Sequence, residues 1–422
     1  MTEKLDAIIF GATGFAGQTA VENALEVFHG LRWGIAGRNL AKLENVLKKL
    51  SQKIDKDLSY VSITLADVED ENSIKEMAKK CKVLVNFCGP YYTYGEVVVK
   101  ACIDVGTHYV DISAEPQFID RMALKYHDLA KASHTFVISA CGFNSVAAEM
   151  GVVYAERNFP GTVNSIETYW ENTVDFKDQH SKALLHTGTW QSAIQIISHA
   201  KELLAIKNQM KPKDYPDLKP VLRVCPYPHK VPPLNNYFIP LMSGDHDTVL
   251  NTQRLWFENE KKRPIQYENY IGFKSLLYAI AAPVFAILIA LLCQFCFTRK
   301  LLLKFPQIFS LGLISPEGPT EANMNSHYFQ MYFKIKGWAK GKSLGEKPKQ
   351  QLWTCASGYN PFYATTGVTA LAGAKIMLQE LEKLPGRGGV ISPGYAFSKT
   401  SIIEDLQKFR YGIKYEVVKP GQ

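Results

Sequence analysis

The segment IIFGATGFAGQTA spaces Gly11, Gly14 and Gly17 as GxxGxxG between an apolar run and a helical pattern. Glycine at the first two positions lets the backbone turn tightly and approach a pyrophosphate, and the third lets helix and strand pack closely. The helix that starts beyond the turn offers unpaired N–H groups and its positive dipole end to phosphate charge, so Thr13 and Phe15 belong to the same cradle. At the end of the next apolar run, GIAGRN puts Arg38 and Asn39 where an adenosine ribose would arrive. An acidic residue there selects NAD, whereas Arg38 suits a 2′-phosphate with Asn39 hydrogen-bonding to it, so NADP(H) is favoured over NAD(H). Asp67 is placed to accept from the adenine amino group. Asn86, Cys88 and Gly89 lie in NFCGP, where Gly89 lets the loop pass near the nicotinamide ribose, and Tyr91 and Tyr94 follow as walls for the ring or as plain loop packing.

Hydride transfer also needs a means of handling a proton or developing charge. The candidates are Asp111 and Glu115 in YVDISAE, Asn144 and Ser145 in CGFNSVAAE, and His186, Thr187, Thr189 and Ser192 in HTGTWQS. Asp111, His186 and Tyr91 are the weak candidates for catalysis. Tyr94, Glu115, Asn144, Ser145, Thr187, Thr189 and Ser192 are candidates for a substrate pocket. Each has a plainer alternative: Asp111 as a loop anchor, Glu115 as a helix-start charge, His186 as a surface residue. No Tyr-xxx-Lys pair, GxSxG or HExxH occurs, so the cofactor pocket is better specified than the catalytic machinery. Cys293 and Cys296 form a CxxC inside an apolar run without further ligands, and no metal site is expected.

These residues need elements to hold them. LDAIIF, LRWGIAG, SYVSITLAD, KVLVNFCG, HYVDIS and TFVISACG read as strands separated by helical patterns, which is the signature of a parallel sheet covered by helices. The expected fold class is α/β: a Rossmann-type doubly wound six-stranded domain over residues 1–155, followed by a second α+β domain over 156–360. That second domain carries a hydrophobic membrane-associating insertion at about 272–314. Residues 361–422 read as a terminal helix and tail returning to the domain interface, with PGRGGVISPGYAF as a glycine-rich substrate loop or a domain edge.

The 48 Lys+Arg against 40 Asp+Glu leave a formal charge of +8 without a long basic tract, which fits an anionic cofactor or lipid surface and not a nucleic-acid groove. Eight cysteines scattered through apolar surroundings point to a reducing compartment. The first residues show neither a signal-peptide core nor a transit helix, so the first domain is expected to face the cytosol.

Taken together, FGATGFAGQTA, IAGRN, NFCGPYYTYGE, YVDISAE, CGFNSVAAE and HTGTWQS resemble the saccharopine dehydrogenase-like oxidoreductases of animals, which are related to bacterial trans-acting enoyl reductases. The resemblance implies a Rossmann domain, a second α+β domain and association with lipid droplets, with no established substrate. The family pattern GFDSxPxD stands here as GFNSVAAE, with Asn144, Ala147 and Glu149 at the altered positions. The lost first carboxylate leaves two readings open: an NADP(H)-dependent oxidoreductase on a lipid-like substrate, or a nucleotide-binding scaffold or lipid carrier.

LLYAIAAPVFAILIALLCQFCF, residues 276–297, carries no formal charge. As one helix it would be about 33 Å long, enough for a hydrocarbon core of about 30 Å. Pro283 would kink it, and Arg299, Lys300 and Lys304 follow at its exit, suited to an anionic headgroup surface. LLLKFPQIFSLGLI adds a second apolar patch. A droplet has one phospholipid layer and no aqueous lumen, so the expectation is a one-sided embedded anchor on a droplet, with the endoplasmic reticulum or another membrane as the other location. An apolar helix buried in a homodimer and a true span remain open.

Overall fold

The computed structural model describes residues 3–178, 181–241, 243–342, 344 and 346–419. It divides into two units, residues 1–143 with 362–412, and residues 144–361 with 413–422.

The first unit begins with β1 (Leu5–Phe10), α1 (Phe15–Val27), β2 (Trp33–Gly37), α2 (Leu40–Ile54), β3 (Ser62–Leu65) and α3 (Glu71–Lys79). It continues through β4 (Cys81–Asn86), α4 (Tyr91–Val105), β5 (His108–Asp111), α5 (Pro116–Ala132) and β6 (Phe136–Ile138). Strand interiors such as Ala7, Ile8 and Ile9 are fully buried, as both faces of a helix-covered parallel sheet require. The helices are amphipathic in turn: Leu43, Leu47 and Leu50 form the buried stripe of α2, whose N-terminus is capped by Asn39 Oδ1 accepting from the Lys42 N–H at 3.0 Å.

The sheet has seven strands where the sequence suggests six. The order is Gly389–Ile391, β6, β5, β4, β1, β2, β3, all parallel. The extra strand comes from the stretch read above as a substrate loop or domain edge. Gly389–Ile391 pairs with Phe136–Ile138. Gly388 (φ 139°) and Gly389 (φ 127°) make that approach sterically feasible, because a Cβ on Gly388 would lie 2.7 Å from the Ala130 carbonyl oxygen. The helix Thr366–Gln379 packs on α1 with Gly367 at the contact, where a Cβ would come within 3.1 Å of Ala20 Cα. Residues 362–412 therefore build part of the first unit, while 413–422 belong to the second. The division falls at Phe143 and not near 155, because the helix Phe143–Asn158, here α6, is held by the second unit: Glu149 accepts from Thr252 Oγ1 at 2.7 Å and Gly151 sits against the Phe333 ring.

In the second unit β7 (Gly161–Val174) is followed by β8 (Leu185–His186), α7 (Thr187–Ser198), α8 (Ala200–Met210), β9 (His229–Lys230), β10 (Tyr237–Pro240), α9 (Gly244–Glu260) and β11 (Gln266–Phe273). Next come α10 (Leu276–Cys293), α11 (Cys296–Lys304), α12 (Pro306–Phe309) and β12 (Ile314–Ser315), with β13 (His327–Ala339) and β14 (Gln350–Tyr359) after them. The main sheet runs Lys414–Val417, β14, β13, β7, β11, β10, β9, and among the described residues only its β7–β11 pair is parallel.

The apolar run is not one long helix. α10 ends at Cys293 after 18 residues, about 27 Å, and the chain turns at Gln294 and Phe295 into α11. By length and composition α10 by itself is long and apolar enough to cross a membrane. One side of α10 is covered: Ile289 and Cys293 join Trp190 and Ile194 of α7, Leu302 of α11 and Ile314 in one buried cluster, and Trp190 Nε1 donates to the Leu302 carbonyl at 2.9 Å. The other side is bare. Leu277 (71% exposed), Val284 (62%) and Ile287 (61%) continue into Phe295, Phe297, Ile308 and Leu311. So large an apolar surface is uncommon on a soluble monomer and marks an interaction face.

Candidate cofactor site

A cleft of about 250 Å³ opens at the carboxyl ends of β1 to β4, where the strand order reverses between β1 and β4. Open α/β sheets bind ligands at that switch point. Its floor is the turn after β1: Gly11, Thr13 and Gly14 line it. Gly11 has φ +81°, and a Cβ there would stand 2.8 Å from the Cys88 nitrogen, so only glycine lets the β1 and β4 loops meet. Gly17 does not line the cleft. A Cβ at Gly17 would sit 2.1 Å from the Gly11 carbonyl oxygen, so it permits α1 to dock on the turn. Among the described residues no side chain caps α1, and its first turn holds no acid, which leaves the helix N–H groups for an anion. Phe15, in that first turn, packs edge-on against Tyr363 at 4.6 Å.

Gly37 and Arg38 line the next side, with Ala66, Asp67, Val68 and Glu69 beyond them. Arg38 is exposed and has neither an ion pair nor a side-chain hydrogen bond among the described residues. Asn39 is not on the wall, since its Oδ1 is used as the α2 cap. Asp67 Oδ1 accepts from the Glu69 N–H at 3.2 Å, which orders the β3 loop. Glu69 was not foreseen. It follows Asp67 in the same loop and is an exposed charge that no spacing rule would single out.

Phe87, Cys88, Gly89 and Tyr94 close the far side. Asn86 lies behind them, fully buried: its Nδ2 donates to Tyr109 Oη at 3.0 Å and its Oδ1 accepts from the Cys88 N–H at 2.8 Å. It shapes the loop. Burial pushes the Cys88 thiol up, with Arg38 acting the other way.

The reactive candidates of this unit have structural partners. Asp111 is fully buried, with Oδ1 accepting from the Ser113 and Ala140 N–H groups at 2.9 and 3.0 Å and Oδ2 from Ser139 Oγ at 2.9 Å. Burial pushes it up to about 6 despite those donors. Glu115, 1% exposed, accepts from the Tyr91 and Tyr92 N–H groups at 3.2 and 2.7 Å and so caps α4, where Pro90 offers no cap. Tyr91 packs on Phe118, its hydroxyl donates to the Asn86 carbonyl at 2.8 Å, and burial raises it well above the ordinary phenol. Of the two tyrosines only Tyr94 lines the cleft.

The remaining candidates belong to the second unit. His186 is the N-cap of α7, its Nδ1 accepting from the Gly188 N–H at 3.1 Å, and burial lowers its pKa. Thr187, Thr189 and Ser192 follow along the helix that buries Trp190 and Ile194 against α10. Ser145 is buried, and Asn144 Oδ1 is buried without a hydrogen-bond partner among the described residues.

The glycine cradle, the uncapped helix and the unpaired Arg38 fit an NADP(H) pyrophosphate and 2′-phosphate, so the chain's own geometry suits the group. Residues 7–138 match the family described as the saccharopine dehydrogenase NADP binding domain. The human saccharopine dehydrogenase-like oxidoreductase is 34% identical over 428 residues, covering 98% of this chain and 97% of its own. The lipid droplet localized protein of Caenorhabditis elegans is 32% identical over 98% of both chains. A Mycobacterium tuberculosis protein whose name proposes trans-acting enoyl reduction is 31% identical over 149 residues, 35% of each chain. Apo saccharopine dehydrogenase (L-Glu forming) from Saccharomyces cerevisiae shares the fold, with a TM-score of 0.56 at 13% identity over 98% of this chain and 100% of that one. With near-complete coverage by such relatives and an NADP-binding domain in its first unit, this chain belongs to the saccharopine dehydrogenase-like oxidoreductases.

Proposed function

We propose that the protein is an NADP(H)-dependent oxidoreductase working on the cytosolic surface of a lipid droplet, or of a membrane such as the endoplasmic reticulum, with an apolar, lipid-like substrate. The observation that carries this reading is the cleft itself, in which the β1 turn, the uncapped start of α1 and Arg38 present donors and charge in the pattern a phosphorylated dinucleotide needs. Gly11 to Phe15 would hold the pyrophosphate, Arg38 the 2′-phosphate and Asp67 the adenine amino group, with Gly89 and Tyr94 toward the nicotinamide end. Bound there, the cofactor supplies a carbon that gives or takes hydride. The chain's own part is to bind, orient and exclude water.

The bare face of α10 to α12 is the lipid contact of this reading. It lies in as a one-sided anchor, with Arg299, Lys300 and Lys304 following α10 as cations for anionic headgroups. A worm relative named for its lipid droplet localization supports that placement.

A second reading, a nucleotide-binding scaffold or lipid carrier, is favoured by one specific observation: Asp111, Glu115 and Tyr91 all spend their polar atoms on the fold. The test is NADPH oxidation by the full chain on phospholipid-coated triolein emulsions doped in turn with lipid ketones, aldehydes and enoyl esters. Saturable, lipid-dependent oxidation bears out the enzyme. Tight NADPH binding with no turnover on any of them refutes it in favour of the scaffold, and absence of NADPH binding sinks both.

A further inference from the structure

The second unit holds another cavity, a groove of about 780 Å³ that the cofactor cleft does not use. One wall is the segment Pro220–Arg223, which has no regular secondary structure but is pinned to the sheet by side chains. Gln266 Nε2 and Asn164 Nδ2 both donate to the Pro220 carbonyl, at 2.9 and 3.3 Å, while the Leu222 N–H donates to Gln266 Oε1 at 2.7 Å. Arg263 Nη2 reinforces the corner by donating to Asn164 Oδ1 at 3.0 Å. The floor is sheet, with Ser165 and Glu167 of β7 beside Lys336 of β13, and Lys347 with Pro348 forms the opposite wall.

The charge on this groove is unbalanced. Three cations, Arg223, Lys336 and Lys347, line it with one acid, Glu167. That acid is already engaged, 3.5 Å from Lys336 Nζ and accepting from Tyr169 Oη at 3.1 Å. Arg223 and Lys347 are exposed and have no ion pair among the described residues. Between the cations the pinned wall is apolar: Val221 is 68% exposed, and Val224 (44%) and Tyr227 (68%) continue the exposed apolar run beyond Arg223. A free inorganic anion would use the cations and leave that wall wet. A neutral lipid would use the wall and leave two cations unpaired.

We propose that this groove is a second binding site, for an anionic amphiphile whose carboxylate or phosphate head pairs with Arg223 and Lys347 and whose first methylenes cover Val221 and Leu222. The guanidinium offers a planar pair of donors to such a head and the lysine a mobile point charge. The pinned wall keeps the apolar contact in place before the ligand arrives, which lowers the ordering cost of binding.

The full chain would be titrated calorimetrically with decyl phosphate, sodium decanoate, inorganic phosphate and neutral decyl maltoside, each below its micelle concentration. Decyl phosphate and decanoate should bind saturably, with inorganic phosphate weaker by on the order of tenfold for want of the apolar contact. The double variant Arg223→Ala/Lys347→Ala should lose at least about tenfold for the two anionic amphiphiles. Its decyl maltoside uptake on the α10 face, its NADPH binding and its melting temperature should stay as in the parent. Equal affinity of parent and double variant for both anionic amphiphiles, or inorganic phosphate binding as tightly as decyl phosphate, would overturn the proposal. These outcomes do not depend on whether the first unit turns over NADPH.

Discussion

Removing the Arg38 side chain is the sharpest test of how the cleft chooses its cofactor. Arg38 is a cation on a rim that also carries Asp67 and Glu69, and it is exposed with no ion pair or side-chain hydrogen bond to release among the described residues. A hydrogen bond to a charged group contributes about 1.5–3 kcal/mol. Exposure and a screening length of about 8 Å at physiological salt place Arg38 at the lower end, about 1.5–2 kcal/mol. Arg38→Ala should therefore weaken NADPH binding roughly 10- to 30-fold. NADH has no 2′-phosphate and should change by less than about twofold, well under 1 kcal/mol. The acids left on the rim then repel the extra phosphate, so the variant should prefer NADH. Parallel fluorescence titrations with both cofactors, each at low and high salt, read this directly, with the NADPH penalty shrinking as salt rises. Arg38→Lys should recover part of the loss through charge without restoring the two-pronged geometry. If both cofactors weaken equally, Arg38 contacts something they share, and if NADPH does not weaken at all, the 2′-phosphate lies elsewhere; either result refutes the reasoning.

Asp111 and the apolar face yield two further tests. The Asp111 carboxyl titrates higher in the folded chain, about 6 against an ordinary 3.8, so the stability it contributes is full below pH ~4 and lost as pH rises through 6, about 3 kcal/mol in all. Asp111→Asn, whose amide can accept from the Ser113 and Ala140 N–H groups and donate to Ser139 Oγ, should flatten that loss in urea midpoints taken between pH 4.5 and 7.5 while NADPH binding persists; an unchanged pH slope would show that the carboxyl is not the titrating group. For the lipid anchor, replacing the four outward residues Leu277, Val284, Ile287 and Leu291 by Gln leaves Ile289 and Cys293 on the Trp190 cluster. Each lost apolar contact is worth about 1.5–3 kcal/mol if fully buried, and a third of the sum already lowers partitioning on the order of 30- to 1,000-fold. Flotation with droplets should therefore fail while NADPH binding is retained, and undiminished flotation would rule out this face as the anchor.

What the sequence determines by itself is local and periodic. Buried strand runs alternating with helical stripes specify the parallel sheet, since both faces of each strand must be apolar when helices cover them. The GxxGxxG turn, GIAGRN and NFCGP each sit at a strand end, and a parallel sheet brings its strand ends to one edge, so Gly11, Gly14, Arg38, Asp67, Cys88, Gly89 and Tyr94 are legible as one cleft before any coordinates. Tertiary structure alone decides what polar side chains do once buried. Glu115 becomes the cap of α4, Asp111 a hub for three donors and His186 the cap of α7, because each backbone N–H left open at a helix start or loop takes the nearest acceptor. It also decides partnerships far apart in the chain. Gly389–Ile391 completes the first sheet because Gly388 can pass within a Cβ's width of the Ala130 carbonyl. The 22-residue apolar run breaks at Gln294, where α10 and α11 fold onto α7; Ile289 and Cys293 are buried there with Leu302 of α11, while Leu277, Val284, Ile287 and Leu291 face out. Hydrophobic length is a property of the sequence, but which side of it stays bare is a property of packing.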